Sequence, residues 1–292
     1  MSQRLPEWFK QKIPRAGETT GVERLLSELK LHTVCEGAHC PNMGHCFSHG
    51  TATFMIMGEI CTRNCTFCAV KKGIPTPLDL EEPQHVTEAV NQLDLSYVVI
   101  TCVTRDDLVD GGAGHFAATI EALHGQIPGL KVEVLVSDFK GSTESVRTVV
   151  TAGPHVFAHN LETVPRLYAE VRPMADYSRS RDVLKIAKEL APDIVTKSAL
   201  MLGLGEDQDE VIGVMRDLRQ AGCDLLTLGQ YLSPSPRHHP VVRFVTPEEF
   251  SAYEKIGLKE GFKGVASAPL VRSSFRASDL YDMAMNVNNY LN

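Results

Sequence analysis

Three cysteines, Cys61, Cys65 and Cys68, lie within one short segment of the chain. Thiolates are the usual protein ligands of iron–sulfur clusters, and three of them at this spacing could bind three irons of a 4Fe–4S cube. No fourth cysteine follows closely, so the last iron would have no protein ligand. An iron of this kind can bind a small molecule and pass an electron to it. The segment therefore predicts a redox reaction centre.

Zinc is the alternative occupant of a site built from these cysteines. Structural zinc takes four ligands and typically uses pairs spaced Cys-x2–4-Cys, whereas these three cysteines have no partner pair at the usual distance. Six of the eight cysteines fall between Cys35 and Cys68, and the other two, Cys102 and Cys223, stand in apolar surroundings. A free cysteine of that kind commonly packs as a small hydrophobe. The clustering favours iron–sulfur chemistry over zinc.

The composition limits the class of protein. The chain has 292 residues, of which 43% are hydrophobic and 22% are charged, which is sufficient for one large α/β domain with extensions. No segment approaches the roughly 20 apolar residues of a membrane-spanning helix, and the first residues lack the apolar stretch of a secretory signal. We therefore predict a cytoplasmic protein without membrane partners, whose cysteines serve metal or redox chemistry. The net charge of −7 argues against a nucleic-acid partner.

The elements that must position the cysteines follow a regular alternation. From about residue 51, short runs rich in Val, Ile and Leu alternate with amphipathic stretches, which indicates buried parallel strands joined by helices. The predicted strands are 53–57, 97–102, 131–136, 155–159, 194–200 and 224–229. The predicted helices are 82–93, 114–126, 142–152, 180–190 and 207–221. These units predict a parallel sheet with right-handed crossovers.

A doubly wound sheet and a partial barrel both fit this alternation. The cysteine loop follows the first strand at its C-terminal end, where barrel enzymes build their active sites, and this favours the barrel. Polar residues follow the later strands as well, at Thr104-Arg105-Asp106-Asp107, Ser137-Asp138, Asn160 with Glu162, and Gln230 with Tyr231. We predict an α/β fold, a partial (β/α)6 TIM-like barrel over residues 51–231, with an N-terminal extension 1–50. The C-terminal extension 232–292 carries a predicted helix at 246–260 and a short strand at 264–268.

Cys61-x3-Cys65-x2-Cys68, with Phe67 before the last cysteine, resembles the signature of the radical S-adenosylmethionine enzymes. In that family, the open iron of a 4Fe–4S cluster binds the amino and carboxylate groups of S-adenosylmethionine. One electron then cleaves the sulfonium, and the resulting 5′-deoxyadenosyl radical removes a hydrogen atom from the substrate. The resemblance therefore implies this cluster and S-adenosylmethionine as cofactors.

Two further segments resemble cofactor-binding parts of that family. Residues 199–206 resemble a Gly-x-Ile-x-Gly-x-x-Glu element beside the adenine, with Ala and Met replacing the first Gly and the Ile. A strand that ends in a glycine turn fits the same residues. In the loop 103–114, glycines allow close backbone approach and carboxylates suit an ammonium or ribose, although a solvated loop is the alternative. The contacts to S-adenosylmethionine implied by the resemblance are Asn160, Lys197, Gly203 and Glu206.

The second cysteine group, Cys35-x4-Cys40-x5-Cys46, resembles the auxiliary-cluster motif of the lipoyl synthases. Other segments agree with that family from end to end: residues 6–10 followed by Lys12-Ile13-Pro14, residues 105–108 with 110–113, and Arg272-Ser273-Ser274-Phe275. The family binds its second 4Fe–4S cluster with the three cysteines and the second serine of the last motif, here Ser274. Composition alone would make Ser273 and Ser274 surface serines. Phe275 replaces the usual Tyr and removes one hydroxyl.

The resemblance to lipoyl synthases implies a sulfurtransferase. In that family, two sulfur atoms from the auxiliary cluster are inserted at C6 and C8 of an octanoyl chain attached to a lysine of a carrier. Such carbons are unactivated, so a radical is required in addition to the sulfur source. The implied partners are octanoylated lipoyl carrier proteins or domains (E2 subunits and the glycine cleavage H protein), a ferredoxin or flavodoxin reductant, and an iron–sulfur carrier for cluster renewal.

Alternative interpretations remain for both the function and the nearby histidines. The function could be another radical sulfur insertion or methylthiolation, or that of an iron–sulfur carrier, although a carrier would not need the barrel. His39, His45 and His49 lie among the cysteines of the second group. We interpret them as hydrogen-bonding neighbours of the ligands or as loop residues.

Overall fold

The structure is a computed structural model that describes residues 4–10 and 17–289, so the predicted Lys12-Ile13-Pro14 segment lies outside the described residues. The strands are β1 Thr53–Ile56, β2 Ile60–Cys61, β3 Lys71–Lys72, β4 Tyr97–Cys102, β5 Lys131–Leu135, β6 Val156–Ala158, β7 Val195–Leu202, β8 Leu225–Gln230 and β9 Gly264–Ser267. The α-helices are α1 Thr20–Glu28, α2 Val34–Gly37, α3 Met43–Ser48, α4 Glu82–Gln92, α5 Ala113–Gln126, α6 Thr143–Thr151, α7 Tyr168–Val171, α8 Tyr177–Leu190, α9 Gln208–Gln220, α10 Pro247–Lys259 and α11 Ala277–Asn289. Short 3-10 helices occupy Glu7–Phe9, Phe139–Gly141 and Pro165–Leu167.

The main sheet has seven strands in the order β1-β4-β5-β6-β7-β8-β9, and every neighbouring pair is parallel. Each strand therefore pairs with the next strand of the sheet along the chain, as repeated right-handed strand–helix units require. β1 and β9 stand at the two ends of this order, so the barrel is partial. The α/β partial barrel and its six predicted strands are confirmed, and the predicted C-terminal strand extends the sheet to seven.

Local capping explains where the helices begin. The Ser142 side chain accepts a hydrogen bond from the backbone N–H of Ser145 and starts α6, as predicted. Helix α8 begins earlier than predicted because the Asp176 side chain accepts from the N–H of Arg179. Gly222, with a φ of +81°, follows the end of α9 and supplies the left-handed residue that ends many helices.

The two ends of the barrel are closed differently. The first residues of β6, β7 and β8 pack in one apolar cluster with Leu280, Tyr281 and Ala284 of α11. Helix α11 thereby covers the N-terminal ends of these strands and leaves their C-terminal ends to the loops. At the edge of the sheet, the backbone N–H of Met55 donates to His32 O at 2.8 Å, so the segment before α2 lies along β1. In the part of the chain that the structure describes, no helix is long and apolar enough to cross a membrane.

Candidate metal centre

The cysteine loop between β2 and β3 is attached to several parts of the barrel. The backbone N–H and the hydroxyl of Thr62 both donate to Thr104 O, at 3.0 and 2.9 Å, in the loop that follows β4. The N–H of Thr66 donates to Val171 O at 3.0 Å, at the end of α7. The pairing of β2 with β3 closes the loop at its base. These contacts fix Cys61, Cys65 and Cys68 at the C-terminal edge of the sheet.

The three cysteines line a cavity of about 540 Å³ at this edge. Of the polar residues predicted at the strand ends, those that line the cavity are Thr104, Ser137, Asp138, Asn160, Glu162, Gln230 and Tyr231. Arg105 and Asp107 instead pair with each other at 2.8 Å beside it. The volume lies within the range of small-molecule sites, and the position is the one at which barrel enzymes bind substrates.

A buried ion-pair network lies beneath the cysteine loop. Arg63 donates from Nε and Nη2 to the two oxygens of Asp106, at 2.7 and 2.9 Å, and from Nη2 to Asp138 at 2.6 Å. Asp138 also accepts from Arg179 Nε at 2.8 Å. Burial alone would raise the pKa of Asp138, but the hydrogen bond and charge of Arg63 hold it below its ordinary value. Arg63, which lies between Cys61 and Cys65, is thus fixed to the loops that follow two strands.

Several buried polar atoms of the cavity wall are left without a hydrogen-bond partner among the described residues. They are His159 Nε2, Asn160 Oδ1, Arg172 Nε and Thr227 Oγ1. Buried polar groups in folded proteins are nearly always hydrogen-bonded, so these atoms mark the wall as one that takes a polar ligand or water. Burial lowers the pKa of His159 to about 4, and the charge of Arg172 acts in the same direction, so the ring is neutral at pH 7.

Arg172 and Glu162 are functional candidates that the sequence reasoning did not single out as ligand contacts. Arg172 Nη1 donates to Asn160 O at 3.0 Å and to Tyr168 Oη at 3.1 Å, while its charge lies near Cys65. Glu162 has a φ of +67°, which is rare for a residue with a side chain and is typical of strained functional positions. Burial raises the pKa of Glu162 against the opposing charge of Arg172.

The predicted contacts to S-adenosylmethionine occupy different places. Asn160 lines the cavity and donates from Nδ2 to Glu162 at 3.1 Å, which leaves its amide oxygen free. Lys197 lies two residues before the cavity-lining Ala199, on the same face of β7 but one layer deeper, and its Nζ pairs with a buried Glu133 at 2.7 Å. Lys197 is therefore below the cavity rather than in its wall.

Gly203 and Glu206 form the turn that ends β7. The Glu206 carboxylate accepts from the N–H groups of Gly203 and Leu204, at 2.6 and 2.9 Å. Gly203 has a φ of +96°, and a Cβ there would collide with the Gln230 side chain and the carbonyl of Arg243. Neither residue belongs to the cavity wall, so the structure gives both a role in shaping the turn.

The second cysteine group lines a pocket of its own. Cys35, Cys40, Cys46 and Ser274 all border a pocket of about 280 Å³. Residues that border both this pocket and the larger cavity are Cys35, Cys40, Thr53, Arg272 and Ser274. We call these five residues the shared wall. The two ends of the chain are joined here, because Asn42 Nδ2 donates to Leu270 O at 2.7 Å.

The remaining cysteines and histidines have simpler surroundings. Cys223 is buried, as predicted, whereas Cys102 borders the larger cavity. His39 also borders that cavity, while His45 and His49 border the second pocket with their ring centroids 4.3 Å apart.

The two cysteine groups are not arranged as the ligands of a single metal ion would be. Among the described residues, no three His, Cys, Asp or Glu side chains converge as the ligands of a single ion would. The thiolates of a cubane bind different irons and need not converge on one point. Each of the two sets of thiols borders a cavity. The first lies near Arg172 and the unpartnered atoms of the wall, and the second lies near Arg272, so both sets fit clusters of this kind.

Comparison with known proteins places the chain in a family. The model of the Radical SAM superfamily matches residues 55–218, and that of the N-terminal domain of lipoyl synthase matches residues 1–40. Lipoyl synthase from Caldanaerobacter subterraneus subsp. tengcongensis is 59% identical over 277 residues, which cover 95% of this chain and 97% of that protein. The chain belongs to the lipoyl synthase family. The lipoyl synthase of Caldicellulosiruptor bescii is 55% identical over 282 residues, covering 97% of each chain.

Solved structures support the fold of this lipoyl synthase family member. Methylornithine synthase superposes with a TM-score of 0.57 at 15% identity, over 82% of this chain and 69% of that one. The hydrogenase maturase HydG superposes with a TM-score of 0.59 at 14% identity, over 72% of this chain and 50% of that one. At such low identity, the likeness concerns the fold alone. Membership of the radical SAM superfamily implies S-adenosylmethionine and one 4Fe–4S cluster as cofactors.

Proposed function

We propose that this chain is a sulfurtransferase that inserts two sulfur atoms at C6 and C8 of a protein-bound octanoyl-lysine, giving the lipoyl group. The observation that supports it most directly is the shared wall. Cys61, Cys65 and Cys68 border one cavity, and the second predicted ligand set borders an adjoining pocket through residues common to both. Radical formation and sulfur supply must act on the same carbon, so the two sites have to be neighbours.

The first ligand set would be Cys61, Cys65 and Cys68. These residues would hold a 4Fe–4S cluster, which would supply the electron that cleaves S-adenosylmethionine. In the protein, the Arg63 network holds the loop, and the unpartnered atoms of Asn160 and Arg172 would bind the polar parts of the cofactor. Lys197, Gly203 and Glu206 would act on the cofactor indirectly, by fixing β7 and the turn that ends it.

The second ligand set would be Cys35, Cys40, Cys46 and Ser274. These residues would hold the auxiliary 4Fe–4S cluster, which would supply the sulfur. Serine oxygen is a harder ligand than thiolate and a weaker partner for this kind of iron, so one corner would be easier to release. Burial raises the pKa of Cys35 to about 11 and also raises that of Cys46. Cluster binding must therefore displace protons from these thiols, which makes assembly more favourable as the pH rises.

The cavity wall has both apolar and polar residues, which suits an acyl chain beside a polar nucleotide. Apolar side chains that border it include Met55, Val136, Leu200 and Val271. Burial of methylene groups against such a surface contributes about 0.8 kcal/mol for each group. We infer that the octanoyl chain lies against these residues, with its reacting carbons facing the shared wall.

The partners follow from this proposal. The substrate would be an octanoylated lipoyl carrier protein or domain, such as an E2 subunit or the glycine cleavage H protein, in the cytoplasm. A ferredoxin or flavodoxin would supply electrons, and an iron–sulfur carrier would restore the consumed auxiliary cluster.

The test is an anaerobic reconstitution with S-adenosylmethionine, a strong reductant and an octanoyl-lysyl peptide. We expect 5′-deoxyadenosine together with a dithiolated peptide. Cys40→Ala should still form 5′-deoxyadenosine but add no sulfur, whereas Cys65→Ala should form neither product. 5′-Deoxyadenosine without peptide sulfur in the wild type would indicate a different radical enzyme. Neither product, with two intact redox-active clusters, would indicate an iron–sulfur carrier. Sulfur insertion that persists in Cys40→Ala would remove the auxiliary cluster from the reaction.

A further inference from the structure

Thr53 is the one member of the shared wall that belongs to the sheet. It is the first residue of β1, is 7% exposed, and pairs in register with Val99 of β4. The rest of β1 is apolar and buried. A hydroxyl at the start of such a strand needs a partner, since a buried polar group without one costs about 1–3 kcal/mol.

The partner of that hydroxyl comes from the other end of the chain. Thr53 Oγ1 donates to Ser274 Oγ at 2.9 Å. Thr53 also lies within hydrogen-bond reach of the Cys35 thiol, and both residues border the two cavities. One residue of the sheet thus contacts a cysteine of the N-terminal segment and a serine of the C-terminal segment, and both are predicted ligands of the same cluster.

We propose that Thr53 is a positioning residue that holds Ser274 in place as the oxygen ligand of the auxiliary cluster. This inference rests on the proposed function, because it requires that cluster. A serine oxygen bound to iron has lost its proton and can only accept hydrogen bonds. A hydroxyl that donates to such an oxygen forms a charge-assisted bond, which is shorter and stronger than a neutral one.

The fixed position of the donor gives Thr53 this role. A β-branched side chain in a paired strand has a restricted χ1 angle, so its hydroxyl direction is set by the sheet. Ser274, in contrast, lies in the irregular segment between β9 and α11. The hydroxyl of Thr53 therefore determines where the Ser274 oxygen lies. The other three proposed ligands are cysteines, so Ser274 is the one oxygen of the set that this hydroxyl could hold.

The test compares full-length variants that all carry Cys65→Ala, so that chelatable iron comes from the auxiliary site alone. Thr53→Val keeps the side-chain shape and removes the hydroxyl, whereas Thr53→Ser keeps the hydroxyl. Thr101→Val is the matched control, because Thr101 is also buried, borders the same cavity and donates to Leu135 O at 3.0 Å. The rate of iron release to a chelator is measured anaerobically for each variant.

We expect Thr53→Val to release iron about tenfold faster, because losing one hydrogen bond to a charged oxygen weakens binding by about that factor. Thr101→Val should stay within about twofold of the parent. Thr53→Ser keeps the donor but loses the β-branch that fixes its direction, so its rate should lie between those of the parent and Thr53→Val. In a chain that also carries Ser274→Cys, Thr53→Val should change the rate little, because a thiolate ligand is a weaker acceptor. Thermal unfolding of each metal-free variant shows whether the fold is kept.

The outcomes separate the two proposals. A parental release rate for Thr53→Val, or equal acceleration by Thr101→Val, overturns the role of Thr53 while the proposed function stands. The same acceleration by Thr53→Val in the Ser274→Cys chain also overturns it, because the effect would then not pass through the serine oxygen. A parent that binds no cluster at all overturns both.

Discussion

The network beneath the cysteine loop allows a quantitative prediction. Arg63→Met keeps an unbranched side chain and removes the guanidinium that bridges Asp106 and Asp138. Asp138 is fully buried and, among the described residues, would keep only Arg179, which is 30% exposed, as a paired cation. Removing one partner of a buried ion pair costs about 3–5 kcal/mol because the other charge stays buried. Because Arg179 still pairs with Asp138, we expect the free energy of unfolding to fall by about 3 kcal/mol, the lower end of that range.

That loss is measurable by thermal unfolding of the metal-free, reduced protein. A change of 1 kcal/mol shifts the melting temperature by roughly 2–4 °C in domains of 150–250 residues, so Arg63→Met should melt about 6–12 °C lower. Arg147→Met is the matched control, since Arg147 pairs with Glu144 at 3.4 Å and both side chains are exposed. An exposed pair of this kind contributes at most about 0.5 kcal/mol, so the control should melt within about 2 °C of wild type.

A double variant isolates the pair itself. Combining Arg63→Met with Asp138→Asn should destabilise the protein less than the sum of the two single changes, because a neutral amide at position 138 no longer needs the guanidinium. Coupling of about 0.5–3 kcal/mol is typical of residues in one network. Equal melting of Arg63→Met and Arg147→Met, or strict additivity in the double variant, would refute the reasoning.

Three further predictions concern other parts of the site. Burial lowers the pKa of His159 to about 4 in the folded protein, whereas a histidine in the unfolded chain titrates at about 6.5. As the pH falls from about 6.5 towards 4, the unfolded state therefore gains a proton that the folded state does not, and the free energy of unfolding should drop by up to about 3 kcal/mol. Urea unfolding of His159→Gln should show a flatter pH profile. Gly112→Ala should lower the urea midpoint, because φ is +89° and the new Cβ would meet the Met57 sulfur, while Gly125→Ala, with open space around it, should not. Arg272 has no carboxylate partner among the described residues, so Arg272→Gln should lower the reduction potential of the auxiliary cluster that we propose for the second cysteine group, measured by an electron paramagnetic resonance titration; a rise would contradict this.

Much of the fold could be predicted because buried parallel strands are continuous apolar runs with clear boundaries. The largest difference in the sheet is at β7, which extends to Leu202, beyond the predicted end at 200. There the N–H of Met201 donates to Glu162 O, a contact between distant segments. β2 and β3 were not predicted, since strands of two residues are too short to show a periodicity.

The sequence predicts candidate site residues only where their function follows from residue type and short-range spacing. Cysteine spacing predicts the first metal group, family resemblance implies the second, and polar residues after the strands indicate the cavity. Ser274 was predicted through family resemblance alone, because nothing in its composition distinguishes it from a surface serine. Thr53 and Arg172 were not predicted as candidate site residues, because their contacts are not visible in local spacing: Ser274 lies 221 residues after Thr53, and Asn160 lies 12 residues before Arg172, across α7.

The segment that carries Ser274 is anchored at both ends, and this has a mechanical consequence. The segment 268–276 is held at one end by β9, which pairs with β8, and at the other by α11, which packs under the barrel. The two anchors limit how far this irregular segment can move, because neither can shift without opening the sheet or uncovering the end of the barrel, and the hydrogen bond to Thr53 sets the position of the serine oxygen within that range. If Ser274 binds the proposed auxiliary cluster, an oxygen released from iron would therefore stay within the short distance that these two anchors allow.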